Sequence, residues 1–147
     1  MASQANILIA EDQDTDVYLT KWAFKKAGLP HNFTHVVDGQ QAIEYLSGVA
    51  PYSDRSAYPW PDLLLLDLKM PRLTGFDVLS WLQRHPEHGP LTVVVLTSSD
   101  LEADVARARE LGASDYRVKP SGLDGMVQLA REIDEQWLQG VSKSAAT

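Results

Sequence analysis

Five side chains with chemical potential stand where apolar runs of the sequence end. Glu11 and Asp12 follow the first run, and Asp67, Thr97 and Lys119 each follow a later one. If these runs are parallel strands, their carboxyl ends share one edge of a sheet, which is where open parallel sheets bind ligands. Clustered carboxylates repel one another and raise one another's pKa unless a cation offsets their charge. The pattern therefore predicts a divalent-metal site beside a lysine and a hydroxyl group.

The acidic residues suit Mg²⁺ in particular. This ion prefers octahedral oxygen coordination and retains several waters, so carboxylates, a backbone carbonyl and a phosphate oxygen can complete its shell. Glu11 and Asp12 alone would indicate only a solvated loop or a helix cap. Asp67 changes this interpretation, because it directly follows the apolar run Leu63–Leu66. An unpaired carboxylate next to a strand that is shielded from water has a high free-energy cost.

The elements that must position these residues follow from apolar periodicity. Short apolar runs, which predict strands, alternate with segments of helical period. The predicted strands are 6–10, 33–37, 63–66, 91–96 and 116–118, and the predicted helices are 14–27, 40–47, 76–84, 101–111 and 123–137. Ser99 and Glu102 have the spacing of a capping box before the fourth helix. Five strand–helix units predict an α/β fold: a flavodoxin-like, doubly wound parallel sheet with strand order 2-1-3-4-5.

Length and composition restrict the possible functions. The 147 residues fit one domain, with a core at about 6–138 and a polar tail at 139–147, so we expect no separate output domain. A net charge of -7 disfavours direct contact with nucleic acid. The sequence has no cysteine and no segment of membrane-spanning length, so we expect a cytoplasmic protein without membrane contact.

Two further features have less specific interpretations. Residues 48–61 contain three prolines and three aromatic residues, which is unusual for a simple loop. They are expected to form a flap over a helix–strand junction or, alternatively, a partner contact. The four histidines show no metal-ligand spacing and are expected in solvated loop or strand positions; they are His31, His35, His85 and His88.

Taken together, the chain resembles the receiver domain of two-component response regulators over about residues 6–138. The resemblance rests on Glu11-Asp12, on Asp67-Leu68-Lys69-Met70-Pro71 with Gly75, on Thr97-Ser98, on Gly112-Ala113-Ser114-Asp115-Tyr116 and on Lys119-Pro120. Each motif is weak alone, but their order and their places at strand ends make the combination specific.

The resemblance implies a role for each matching position. Asp67 corresponds to the phosphoacceptor, and Glu11 and Asp12 to the acidic pair that holds Mg²⁺ together with Asp67 and the backbone carbonyl of Lys69. Thr97 and Lys119 match the residues that bind phosphoryl oxygens, Tyr116 matches the aromatic switch, and Pro120 matches a proline that usually follows a cis bond. Phosphorylation is then expected to draw Thr97 toward the phosphate and to let Tyr116 rotate into the vacated space.

A narrower resemblance concerns the partner. The 48–61 insertion, the absence of an output domain and Trp137 are similar to features of the small regulators that partner phytochrome-type histidine kinases. The resemblance implies a phosphoacceptor that assists its own phosphorylation and dephosphorylation, and that signals by protein–protein contact rather than as an enzyme. Trp137 and the apolar stripe beginning at Leu123 further predict a homodimer through the face of the fifth strand and last helix.

Three other functions remain as alternatives. A flavodoxin-like module would need an anion cradle rich in hydroxyl and amide groups after the first strand, where residues 11–14 are mostly acidic. A phosphatase using Asp67 as nucleophile would need a second acid two residues later, where Lys69 stands. A receiver-shaped scaffold without phosphorylation is disfavoured because all the chemical positions are intact.

Overall fold

The computed structural model describes residues 4–139 as alternating strands and helices. The strands are β1 (Asn6–Ala10), β2 (Asn32–Val36), β3 (Leu63–Leu66), β4 (Thr92–Thr97) and β5 (Asp115–Val118). The helices are α1 (Asp14–Lys26), α2 (Gly39–Ser47), α3 (Gly75–Arg84), α4 (Glu102–Glu110) and α5 (Leu123–Ile133). The predicted elements are all present, and every boundary agrees within one residue except the end of α5, which is Ile133 instead of residue 137.

The five strands form one sheet in the order β2-β1-β3-β4-β5, and each neighbouring pair is parallel. This confirms the predicted fold class and strand order. Ala10 pairs with Leu66, and Leu66 pairs with Val95. The residues that follow β1, β3 and β4 therefore emerge side by side at one edge of the sheet.

Two layers of helices cover the sheet and bury a core on each side. All four residues of β3 are buried, and alternate residues point to opposite faces. Leu64 and Leu66 pack in the cluster that includes residues of α2, α3 and α4, whereas Leu63 and Leu65 pack in the cluster that includes residues of α1 and α5. Burial on both sides explains why this strand reads as an uninterrupted apolar run.

The insertion at residues 48–61 folds back onto α2. The rings of Tyr52 and Tyr58 lie 5.1 and 6.0 Å from that of Tyr45, which is buried. Arg55 donates hydrogen bonds to the carbonyl oxygens of Tyr45 and Leu46, at the end of α2. The expected flap over the junction between α2 and β3 is therefore confirmed.

Three local predictions need correction. Ser99 does not cap α4, since Leu101 stands at the N-cap and the Ser99 hydroxyl instead donates to Asp104 at 2.6 Å; the capping box is at Thr74 and Asp77, before α3. The bond before Pro120 is not cis, because the single cis peptide bond within residues 4–139 is Ala50–Pro51. A trans bond there follows the intrinsic preference of X–Pro bonds.

The third correction concerns His31, whose side chain is only 5% exposed rather than solvated. Its Nδ1 accepts a hydrogen bond from the backbone N–H of Ala5 at 3.0 Å, and its Nε2 lies 2.7 Å from Asp134 Oδ1. The ring thereby connects the start of β1 with the wider π-helical turn Asp134–Leu138 that extends α5. Long-range pairing of this kind leaves no periodic signal in a sequence.

The predicted polar tail at 139–147 lies outside the described residues apart from Gln139. Among the helices found between residues 4 and 139, none has the length and apolar character needed to cross a membrane.

Candidate functional site

Three carboxylates meet at the carboxyl edge of the sheet. Glu11 and Asp12 follow β1, and Asp67 follows β3; one oxygen from each lies within 4.8 Å of the others. We refer to these three residues as the acidic cluster. Glu11 and Asp67 are only 4% and 7% exposed, so their negative charges are poorly screened by water. The structure thus brings together the residues that the sequence analysis assigned to one site.

Backbone hydrogen bonds between neighbouring strands hold two of these carboxylates in place. The N–H of Asp67 donates to Ala10 O at 3.1 Å, and the N–H of Glu11 donates to Val36 O at 3.0 Å. Both residues therefore continue the ladder of the sheet beyond the regular strands. This gives the acidic cluster a rigid backbone frame, which helps a site to hold its groups in productive geometry.

Lys119 provides the cationic group of the site. Its Nζ donates to Glu11 Oε1 and to Asp16 Oδ2, the latter at 2.8 Å, and lies 3.4 Å from Asp67 Oδ2. Burial by itself would lower the pKa of Lys119, but the hydrogen bonds to Asp16 and Glu11 outweigh it and raise that pKa above its usual range. The lysine is therefore firmly protonated and able to neutralise negative charge at the sheet edge.

Glu11 has a strongly shifted proton affinity. Burial raises its pKa to about 7, and the nearby charge of Asp67 adds to this effect, while the hydrogen bond from Lys119 opposes it. Burial is the main cause of this shift, and Asp67 contributes because the carboxylates at this sheet edge outnumber the one ammonium group of Lys119 and leave an excess of negative charge. A bound divalent cation would remove that excess.

Asp16 is a site residue that the sequence analysis missed. It lies in the first turn of α1 and binds Lys119, but it does not follow a strand. The only available sequence signal was its position one helical turn after Asp12, which is also typical of an acidic residue at a helix N-terminus. The pairing depends on side-chain orientation across 103 positions of sequence separation.

Thr97 and Tyr116 are connected through the loop between β4 and α4. Thr97 is fully buried, and its hydroxyl oxygen is 3.5 Å from the N–H of Ser99. The ring of Tyr116 is 9% exposed, and its hydroxyl donates to the carbonyl oxygen of Ser99 at 2.9 Å. The Tyr116 ring therefore lies inward, with its hydroxyl held by the loop that follows Thr97, and its rotation on phosphorylation stays a prediction.

The loop after Asp67 is shaped by a close backbone contact. Gly75 donates from its N–H to Leu68 O at 3.1 Å, and a Cβ atom on Gly75 would lie 2.3 Å from Asp67 O. Lys69 is exposed, with its N–H 3.4 Å from Asp67 Oδ1. This loop therefore begins beside the acidic cluster, and the Lys69 carbonyl as a metal ligand stays a prediction.

The donor set fits a hard divalent cation. Carboxylate oxygens are the ligands that Mg²⁺ and Mn²⁺ prefer, in contrast to thiolate or imidazole. Glu11 and Asp67 are buried and Asp12 is half-buried, so an ion bound between them would relieve mutual repulsion that water screens poorly. The acidic cluster and the chemistry of its donors therefore support a divalent-metal site.

Comparison with known proteins identifies the family. Residues 7–131 match the family model of the response regulator receiver domain. The chain belongs to this family. As a receiver, it is a phosphoacceptor protein of two-component signalling, which agrees with the acidic cluster, Thr97 and Lys119 at one sheet edge. The resemblance inferred from the sequence motifs is thus confirmed.

The relatives of this receiver include regulators associated with phytochromes. The response regulator Rcp1 of Synechocystis sp. is 32% identical over 140 residues, covering 95% of this chain and 93% of that protein. The phosphorylated cyanobacterial phytochrome response regulator RcpA has a TM-score of 0.85 at 31% identity, covering 94% of this chain and 96% of that one. The Mn²⁺-bound form of Rcp1 has a TM-score of 0.80 at 31% identity, covering 92% and 95%.

The face formed by β5 and α5 agrees only in part with the one expected to form a homodimer. Trp137 is half-buried and packs against the core of its own chain, as do Met126, Leu129 and Ile133 of the apolar stripe. Val118 and Leu123 remain 45% and 54% exposed. Trp137 therefore does not support the predicted homodimer, because its ring packs within the receiver. The exposed side chains of Val118 and Leu123 are still consistent with that prediction.

Proposed function

We propose that Asp67 is the phosphoacceptor of this receiver and that a sensor histidine kinase is the donor. The observation that supports this assignment is the convergence of Glu11, Asp12 and Asp67 within 4.8 Å, with the ammonium group of Lys119 3.4 Å from Asp67 Oδ2. A carboxylate so placed can accept a phosphoryl group whose charge is neutralised from both sides.

In the proposed reaction, an Asp67 oxygen attacks phosphorus in line with the bond to the donor histidine. The O–P bond forms as the N–P bond breaks, and the electron pair of that bond returns to the histidine nitrogen. We propose that Glu11, Asp12, Asp67 and the Lys69 carbonyl hold Mg²⁺, which offsets negative charge on the phosphoryl oxygens when bound. Lys119 and the Thr97 hydroxyl donate hydrogen bonds to the remaining oxygens.

The output of this reaction is a change in the surface around β4, α4 and β5. A phosphoryl oxygen that engages Thr97 would stabilise the loop that carries Ser99, the acceptor for the Tyr116 hydroxyl. The inward Tyr116 orientation would then be more populated in the phosphorylated protein than in the unmodified one. We propose that partner proteins recognise this surface and that the single receiver unit acts in the cytoplasm.

The kinase is proposed to be of the phytochrome type. The similarity to RcpA, described as a phytochrome response regulator, covers 94% of this chain and 96% of that one. Purified phytochrome-type kinase should transfer labelled phosphate to this receiver faster than histidine kinases of unrelated sensory classes. Equal transfer from all of them would contradict this part of the proposal.

The phosphoacceptor assignment is tested by intact-mass spectrometry after incubation with acetyl phosphate and Mg²⁺. The wild-type protein should gain the mass of one phosphoryl group, and Asp67→Asn should gain none. Asp77→Asn is a matched control, because Asp77 lies in the following helix and, within residues 4–139, its side chain bonds Thr74 of the capping box. Labelling of the Asp67→Asn variant at the wild-type level would refute the assignment.

A homodimer through the β5 and α5 face is a separate proposal. It is supported by the exposed apolar side chains of Val118 and Leu123. Light scattering of the phosphorylated protein should give the mass of a dimer, and Leu123→Glu should shift it toward the monomer. Val49→Glu is the control, because Val49 is 50% exposed at the end of α2. A monomeric mass with and without phosphorylation would refute this proposal.

A further inference from the structure

Lys119 contacts one carboxylate that is not part of the acidic cluster. Besides Glu11 and Asp67, its Nζ donates to Asp16 Oδ2 at 2.8 Å, which is shorter than its 3.4 Å distance to Asp67 Oδ2. An ammonium group has three N–H donors, so these three carboxylates engage all of them. The lysine is therefore held toward α1, and Asp67 receives its longest contact.

A phosphoryl group on Asp67 needs at least one of these N–H donors. Glu11 and Asp67 belong to the acidic cluster, so their negative charge is already committed to the proposed metal. Asp16 has no such alternative, and its carboxylate remains a rival acceptor for the ammonium group. Its side chain is 36% exposed, which means that it can turn into water when Lys119 leaves it.

We propose that Asp16 is a positioning residue that competes with the phosphoryl oxygens for Lys119, and thereby weakens the binding of a phosphoryl group at Asp67. The inference rests on the proposed role of Asp67 and adds a residue that tunes it. When a phosphoryl group occupies Asp67, Lys119 gains a hydrogen bond to a phosphoryl oxygen and loses its hydrogen bond to Asp16. The net gain in free energy is the difference between these two contacts. Removal of the Asp16 charge should therefore favour binding of the phosphoryl group.

The test measures the affinity for beryllium fluoride, a phosphoryl analogue, by calorimetry at saturating Mg²⁺. Asp16→Asn should bind it about fivefold more tightly than the wild type, in the range of a partly exposed ion pair. Asp16→Glu, which restores the carboxylate, should return the affinity toward the wild-type value. Asp14→Asn removes the same charge from the same helical turn at an exposed position and should change the affinity less than twofold.

A double-mutant cycle separates this competition from a general effect on structure. In a Lys119→Gln background there is no ammonium group to compete for, so adding Asp16→Asn should leave the affinity unchanged within twofold. An effect of Asp16→Asn that persists without Lys119 would overturn the inference. So would unchanged or weaker binding by Asp16→Asn in the background that retains Lys119.

The proposed function has its own control in the same experiment. If wild type and Asp67→Asn fail to differ in beryllium fluoride binding, the phosphoacceptor assignment is wrong and the inference about Asp16 is lost with it. If the wild type binds through Asp67 but Asp16→Asn behaves like Asp14→Asn, only the role of Asp16 is refuted.

Discussion

Gly75 lies so close to the backbone of Asp67 that a side chain cannot fit between them. A Cβ atom at this position would be 2.3 Å from Asp67 O and 2.9 Å from Leu68 Cα, and backbone atoms cannot move aside as the end of a flexible side chain can. The first turn of α3 is thereby held against the loop that carries Asp67. The absence of a side chain at residue 75 therefore contributes to the geometry of the site.

We expect Gly75→Ser to slow phosphorylation of Asp67 by acetyl phosphate by at least about tenfold, because a displacement near 1 Å at a reacting group can cost more than this. The free energy of unfolding should fall by about 1–3 kcal/mol, as in other overpacked sites. Mass spectrometry and urea denaturation measure the two effects. Gly122→Ser is the control, since a Cβ atom there meets nothing within 4 Å, and equal losses in both variants would contradict the argument.

Single residues differ in how far the sequence could predict their roles. Asp67 was predictable because a carboxylate after four leucines violates the expected burial pattern and so indicates function. Asp16 was not, because an acidic residue in the first turn of a helix is favourable without any partner. The buried pairing of His31 with Asp134 was missed for a related reason, since contacts distant in sequence leave no periodic pattern.

The flap at residues 48–61 depends on one side chain at the element scale. Arg55 donates to the carbonyl oxygens of Tyr45, Leu46 and Tyr58 at 2.8–3.1 Å. The last carbonyls of a helix have no partner within it, so Arg55 both satisfies the end of α2 and anchors the flap. The rings of Tyr52 and Tyr58 then pack against Tyr45 beside the junction between α2 and β3.

Arg55→Ala should lower the free energy of unfolding by about 1–3 kcal/mol, because partly buried carbonyl groups lose charge-assisted hydrogen bonds. Arg55→Lys should recover less than half of this loss, since one ammonium group cannot reproduce the planar set of guanidinium donors. Urea denaturation followed by circular dichroism provides the measurement. Arg109→Ala, at an exposed position on α4, should change stability by less than about 0.5 kcal/mol; a similar loss there would argue against a specific anchor.

Helices and strands were predictable wherever burial imposes a simple period. The bounds of β3 agree with its apolar run because both of its faces are buried. The cap of α4 was not predictable in the same way. Ser99 has suitable spacing, but its hydroxyl donates to Asp104 and its carbonyl accepts from Tyr116, so contacts with β5 and with the first turn of α4 decide its orientation. Local motifs fail where tertiary contacts use the same atoms.

At the scale of the whole molecule, the fold concentrates negative charge at one edge of the sheet. The net charge of -7 is not spread evenly, because buried strands direct Glu11 and Asp67 to the same place as Asp12. Their repulsion opposes folding, and the single positive charge of Lys119 offsets only part of it. Burial is the main cause of the raised pKa of Glu11, and the negative charge of Asp67 adds to it. Stability should therefore depend on whether a divalent cation binds the acidic cluster.

Mg²⁺ should raise the free energy of unfolding of the wild-type protein by about 1.4 kcal/mol at ten times its dissociation constant, because an ion that binds only the folded state stabilises it by mass action. Thermal or urea denaturation at constant ionic strength, with NaCl replacing MgCl₂ in the reference, measures the gain.

Asp12→Asn should show two opposite changes. Without divalent ions it should be more stable than the wild type by up to about 1 kcal/mol, since a like-charge repulsion is removed. Its gain from Mg²⁺ should largely disappear, because the site has lost a ligand. If Mg²⁺ stabilised this variant and the wild type equally, the ion would act on general surface charge, and the acidic cluster would have no specific role in binding it.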